Sequence, residues 1–294
     1  MTLLPKTDSI TRNHCTIVYD RVGASDAQHT LVLLHGLASN ATRWREFMQH
    51  SNLGEQFELL AMDLRGHGRS LVVEQYTRQD WIDDIQQLLA KHQKPGILVG
   101  HSMGAQIALD YASQLARQKD TRLSGLILID PIFPQALDGV LKQIARFRVL
   151  IKVACWLLRG LYALGLHKRH YPYRDLQALD RHTRDVLAAN PHKSIADLYM
   201  NPLADLPYIP LVNYLQDLYE VTRPLIPLQN IDVPVLVLLS EGASTSHVDL
   251  NKKILGTIPK LDIKTIDADH WLLTEKPVEA RENIEQWCIQ QAKS

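Results

Sequence analysis

Residues Gly100-His101-Ser102-Met103-Gly104 form a G-x-S-x-G pentad where an apolar run, Gly96-Ile97-Leu98-Val99, meets a helical pattern. That junction restricts the fold more than any other segment. A strand this apolar is covered on both faces, as in the interior of a parallel sheet. A direct turn from it into a helix needs small residues where the two elements approach. A serine on such a turn holds its hydroxyl exposed on strained backbone, so Ser102 is the candidate nucleophile. The N–H of Met103 opens the new helix, where the local field favours negative charge. The competing reading is a glycine-rich turn that carries an ordinary surface serine.

Two further segments supply context. Upstream, Leu31-Val32-Leu33-Leu34 has the pattern of a buried strand and breaks into His35-Gly36-Leu37-Ala38-Ser39. The Leu37 N–H there would join that of Met103 as a two-donor oxyanion hole. Downstream, Asp269-His270-Trp271 follows the strand pattern Leu261 to Ile266 and precedes Glu275-Lys276-Pro277, which opens the last helix. A histidine on that loop suits a general base, since imidazole titrates near neutrality. His270 is the candidate among 13 histidines. His35 reads as a loop-stabilising group rather than a base.

With these segments the chain resembles the α/β-hydrolase superfamily over nearly its whole length. The resemblance also rests on Ala61-Met62-Asp63-Leu64-Arg65-Gly66-His67-Gly68-Arg69-Ser70, on Gly125 to Pro131 and on Val233 to Leu239, all in the family's order. It implies a serine, histidine and acid acting together, with the Asp63 to Ser70 stretch structural. The chain departs from the family at the acid. The resemblance places an aspartate shortly after the strand ending at Leu239, but the sequence there reads Ser240-Glu241-Gly242-Ala243-Ser244, with Ala243 at the expected position. Some members carry the acid after the preceding strand, where Asp130 stands, and triads are defined by geometry rather than chain order. Asp130 is the first candidate. Glu241, Asp249 or no acid at all remain open, and Asp130 before Pro131 also reads as a turn residue.

Strand patterns alternate with helical ones, which argues an α/β fold: a mostly parallel central sheet flanked by helices. The expected strands are Cys15 to Val22, Thr30 to Leu34, Phe57 to Met62, Gly96 to Gly100, Gly125 to Asp130, Pro234 to Leu239 and Leu261 to Ile266. The clearest helical patterns run Arg78 to His92, Met103 to Gln118 and Val278 to Gln291. The rhythm stops between Asp130 and Pro234. Residues 134–229 are read as an inserted helical cap, and residues 1–133 and 230–294 as the core. At 294 residues, one core with an insertion fits better than two equal domains.

Lys and Arg balance Asp and Glu at 32 each, so no nucleic-acid partner is implied. The 3 cysteines are far apart and odd in number, which reads as reduced thiols in a cytoplasmic protein. The start lacks the charged and apolar pattern of a secretory signal, so the mature chain is expected to begin at Met1. No metal or organic cofactor is expected.

The first part of the cap is unusual. Gly139 to Arg174 contains no acidic residue, whereas Arg148, Lys152 and Arg159 form one narrow stripe on a helix otherwise apolar from Val149 to Leu166. Charges interrupt it too often for a membrane span. The expected role is a roof over an apolar acyl pocket, with Trp156 and His101 as substrate-binding residues. Peripheral contact with an anionic lipid surface is a second expectation, and plain packing a third. The activity implied is hydrolysis of a hydrophobic ester through an acyl-enzyme. Thioester hydrolysis, other serine-dependent chemistry on the same fold, and non-catalytic ligand binding stand beside it.

Overall fold

Runs of aliphatic residues with no polar interruption can be buried on both faces, and the interior strands of this chain have that character. The computed structural model describes residues 4–24, 26–118, 120, 122–137, 139–190, 192–225, 227–242 and 248–293. Its strands are β1 (Lys6–Arg12), β2 (Cys15–Val22), β3 (His29–Leu34), β4 (Phe57–Met62), β5 (Gly96–His101), β6 (Leu123–Ile129), β7 (Val235–Ser240) and β8 (Leu261–Ile266). They form one 8-stranded sheet in the order β1-β2-β4-β3-β5-β6-β7-β8. β1 and β2 pair antiparallel, as do β2 and β4; every pairing from β4 through β8 is parallel. The carboxyl ends of β3, β5, β6, β7 and β8 therefore emerge along the same edge, where ligand sites of α/β sheets are built.

Helices cover both faces. They are α1 (Arg45–His50), α2 (Arg78–His92), α3 (Met103–Gln118), α4 (Gly139–Arg146), α5 (Arg148–Ala163), α6 (Leu176–Ala189), α7 (Ile195–Tyr199), α8 (Pro202–Asp205), α9 (Leu211–Val221), α10 (Val248–Leu255), α11 (Leu272–Glu275) and α12 (Pro277–Gln291). One core layer packs Ile85, Leu88, Ile107 and Leu255 on one face of the sheet, and the other packs Phe47, Met48, Ile284 and Trp287 on the opposite face. α2 begins at a capping box in which Thr77 and Asp80 satisfy each other's backbone N–H groups. Between β6 and β7 the described residues are helix, turn and loop, from α4 to α9, and add no strand to the sheet.

The polar strand β1 was not expected. It alternates no apolar face, lies at the sheet edge and is mostly exposed, so hydrophobic patterning has nothing to register. What specifies it is the turn: Asn13 and His14 both adopt positive φ, 47° and 60°, as a tight two-residue hairpin requires.

The pentad glycines are fixed by packing. A Cβ on Gly104 would fall 2.4 Å from the Leu34 carbonyl oxygen, and one on Gly100 2.4 Å from the Gly104 carbonyl group. Gly160, in the last turn of α5, has nothing within 4 Å. We expect Gly104→Ala to cost about 3 kcal/mol or more, because rigid backbone must move. Gly160→Ala should instead gain roughly 0.5–1 kcal/mol from helix propensity alone. Urea denaturation of the two variants measures both signs.

Candidate active site

β5 ends at His101, and the turn into α3 sets Ser102 at φ 55°. That is the left-handed region, costly for a residue with a Cβ and found where surrounding structure over-determines the backbone. Here the anchors are the Ser102 N–H, which donates to the Ile129 carbonyl at 2.9 Å, and the Ser102 carbonyl, which accepts from Ala105 at 3.1 Å. Met103 is the first residue of α3, so its N–H is one of the amides with no partner inside the helix.

At the end of β6, Asp130 also has positive φ, 45°. Its carboxylate is buried and fully engaged. Oδ1 accepts from the Ser240 N–H at 2.9 Å, while Oδ2 accepts from the Ser240 hydroxyl at 2.7 Å and from His270 Nδ1 at 2.8 Å. Glu241 and Asp249, the other candidate acids, are exposed, and Ala243 lies outside the described residues. The acid beside His270 thus follows β6, not β7. β6 and β7 are neighbours in the sheet, so an acid on either strand end reaches the same histidine.

His101 is buried and its Nε2 donates to the His270 carbonyl at 2.9 Å. Burial and the adjoining His270 ring pull its pKa down to about 3, so it is a neutral donor at physiological pH. It fixes the loop that carries His270. His35 plays a comparable part on the other side. Its Nδ1 donates to the Gly36 carbonyl at 2.8 Å and its Nε2 accepts from the Leu64 N–H at 3.1 Å. Burial, with His67 beside it, holds it far below the usual imidazole pKa. The Asp63 carboxylate is likewise occupied by the backbone of Ala41 and by Arg69.

Ser102, His270, His101 and Leu37 line one cavity of about 520 Å³. Its far wall comes from the helices between β6 and β7, including Leu176 and Leu179 of α6, Leu198 of α7 and Leu218 of α9. Polar groups interrupt that wall in pairs. Arg43 is ion-paired with Asp180 and stacks over the Tyr199 ring at 5.3 Å. Arg174 pairs with Asp205 at 2.7 Å. Trp271 meets His270 edge-on at 5.5 Å.

The family model for the alpha/beta hydrolase family matches residues 31–282. This chain belongs to that family. It is 32% identical over 119 residues to a proline iminopeptidase of Pestalotiopsis fici, covering 40% of this chain and 41% of that protein. With a probable lysophospholipase of Arabidopsis thaliana it shares 31% over 129 residues, 42% of this chain and 30% of that one. The chain therefore spans less than half the length of these curated relatives in the matched regions. A thermophilic esterase from Thermogutta terrifontis has the same fold, with a TM-score of 0.69 at 19% identity, covering 99% of this chain and 100% of that structure.

Trp156, expected against the substrate, is not at this hydrolase-family cavity. It is 73% exposed and borders a separate cleft. α5 packs on α9 through Arg148, Cys155 and Arg159, which turns Trp156 outward, and none of the residues lining the Ser102 cavity comes from α5. The expected acyl roof is thus corrected: α6 to α9 supply the wall, with Ile144 of α4. Ser240, Arg43 and Glu275 are site residues that sequence reasoning passed over. Ser240 alone carried a signal, because it stands where the family's acid-bearing loop begins.

Glu275 accepts from the Asp269 N–H at 3.1 Å and so braces the histidine loop. Burial and the nearby Asp269 and Asp130 charges push its pKa up to about 7. The folded chain keeps this proton to higher pH than the unfolded chain, so the associated stability is complete at acid pH and is lost as pH rises through about 7. We expect Glu275→Gln, which keeps the acceptor, to raise Tm by on the order of 2 °C at about pH 8.5, allowing for screening of a half-exposed group. At about pH 4, below the ordinary carboxyl value of 4.5, the gain should be absent. Calorimetric Tm values at the two pH values check the difference.

Proposed function

We propose that this protein is a serine hydrolase that cleaves carboxylic esters of apolar acyl groups through an acyl-enzyme. The observation that carries this reading is the 2.8 Å contact from His270 Nδ1 to Asp130 Oδ2, made beside a cavity that Ser102 and His270 both line. The carboxylate holds the imidazole in one tautomer and leaves Nε2 to accept the Ser102 proton. Ser102 Oγ then attacks the ester carbonyl, and the oxyanion is received by the N–H groups of Leu37 and Met103. The protonated imidazole returns its proton to the leaving alcohol. A water, deprotonated in turn by His270, releases the acid. Residues 134–229 act as the cap, and the apolar side chains of α6 to α9 favour an aliphatic chain. The esterase and lysophospholipase names among the similar proteins support this reaction class.

Ser102→Ala should lower ester turnover by about a millionfold and leave the fold intact. Labelling by a fluorophosphonate should vanish with it; retained turnover would remove the mechanism. Asp130→Asn should lower turnover by about a thousandfold by favouring the wrong tautomer, whereas Glu241→Gln should have little effect. The reverse pattern would move the acid to the loop after β7.

On p-nitrophenyl esters, kcat/KM should rise from acetyl to octanoyl, each buried methylene adding up to about 0.8 kcal/mol of binding. A profile that prefers acetyl would show that the α6 to α9 wall does not hold the acyl chain.

A further inference from the structure

α5 is mounted the wrong way round for a helix of a protein surrounded by water. Successive residues step about 100° around an α-helix. On that projection Val149, Leu150, Val153, Trp156, Leu157 and Leu161 share one side of roughly half the circumference, and each is between 45% and 75% exposed. The basic residues Arg148 and Arg159 point the other way. Arg148 lies over the Tyr219 ring of α9 at 4.5 Å, and Arg159 donates to Gln216 at 3.2 Å. Exposed apolar side chains scattered singly need no partner, but a contiguous helix face does.

From this we infer that α5 is an interfacial helix, whose apolar face beds into the surface of an anionic phospholipid bilayer. Charge selects this occupant. Gly139 to Arg174 contains no acidic residue, and Lys142 and Arg146 of α4, Lys152 of α5, and Lys168 and Arg169 just after α5 are exposed. A cleft of about 520 Å³ between α5 and α9 adds Arg148, Lys152, Arg159 and Arg223 against Glu220 alone. Glu220 is already paired with Arg223 at 2.9 Å, and the Nε atoms of Arg148 and Arg159 are buried without a hydrogen-bond partner. Such a cleft offers unshared cationic charge to headgroup phosphates at the edge of the embedded face. A second copy of the chain fits poorly, since a two-fold contact would set one cationic rim against another. No helix among the described residues is long and apolar enough to cross a membrane. The helix would lie in the plane of the surface.

Binding to vesicles, with no turnover measured, tests this independently of the hydrolase reading. The full chain should float with phosphatidylcholine vesicles that contain phosphatidylglycerol, and less with phosphatidylcholine alone. Raised salt should weaken the association. Trp44, Trp81 and Trp287 are buried and Trp271 is half-buried against His270, so a blue shift of tryptophan emission on binding that is lost in Trp156→Phe would place α5 in the lipid. Leu157→Asp should reduce binding by about tenfold or more, Lys152→Glu should reduce it on the anionic vesicles, and Ser102→Ala should leave it unchanged. Circular dichroism verifies that the variants fold. Failure to bind either vesicle overturns the inference, as does undiminished binding by folded Leu157→Asp. Self-association in sedimentation without lipid, abolished by Leu157→Asp, would also overturn it and assign the face to a second copy.

Discussion

The approach of Gly104 to the carbonyl oxygens of Leu34 and His35 is the contact on which the site's geometry depends. It brings the first turn of α3 onto the end of β3, and so sets Ser102 beside the His35-Gly36-Leu37 loop. A side chain at Gly104 would part the two. The neighbouring strand ends complete the arrangement, because the Ser102 N–H donates to the Ile129 carbonyl of β6 and the Asp130 N–H donates to the Leu238 carbonyl of β7. Two non-glycine residues in left-handed backbone cost about 1–3 kcal/mol each. They persist because each is tied into an adjacent buried strand.

The helices over this edge are fastened chiefly by directional polar contacts. Asn40 and Thr42 hold the Arg174 carbonyl, Arg43 holds Asp180, and Arg184 reaches Glu46 at 2.8 Å. On the other side His67 and Tyr76 both reach the buried Asp217 of α9, and Arg78 contacts the Glu220 carbonyl and Gln106. Apolar contacts tolerate sliding, whereas a buried charge left unpaired is costly. A wall mounted in this way keeps its register over Ser102.

Much of this was legible in the chain because the interior strands and the helices α2 and α3 carry unbroken periodic signals, and because the pentad permits few local structures. β1 was not, since its stability comes from a turn and an edge ladder that leave no apolar rhythm. Asp130 could be ranked but not fixed: which strand end faces His270 depends on strand order, and the alternation of elements does not encode it. The orientation of α5 was misjudged for a related reason. A helical projection shows that a basic stripe and an apolar face are opposed, and the habit of turning the apolar side inward decided the rest. Here α9 presents Gln216, Tyr219 and Glu220 to the stripe, and that polar surface wins the arginines.

The thiols have a separate significance. Cys15, Cys155 and Cys288 are all buried and free, and burial raises the pKa of each. Oxidation and exchange proceed through an exposed thiolate, a species the folded chain withholds at every one of its cysteines. The odd cysteine count therefore says nothing about compartment. In the folded chain, thiol oxidation and disulfide exchange therefore have no exposed sulfur to start from.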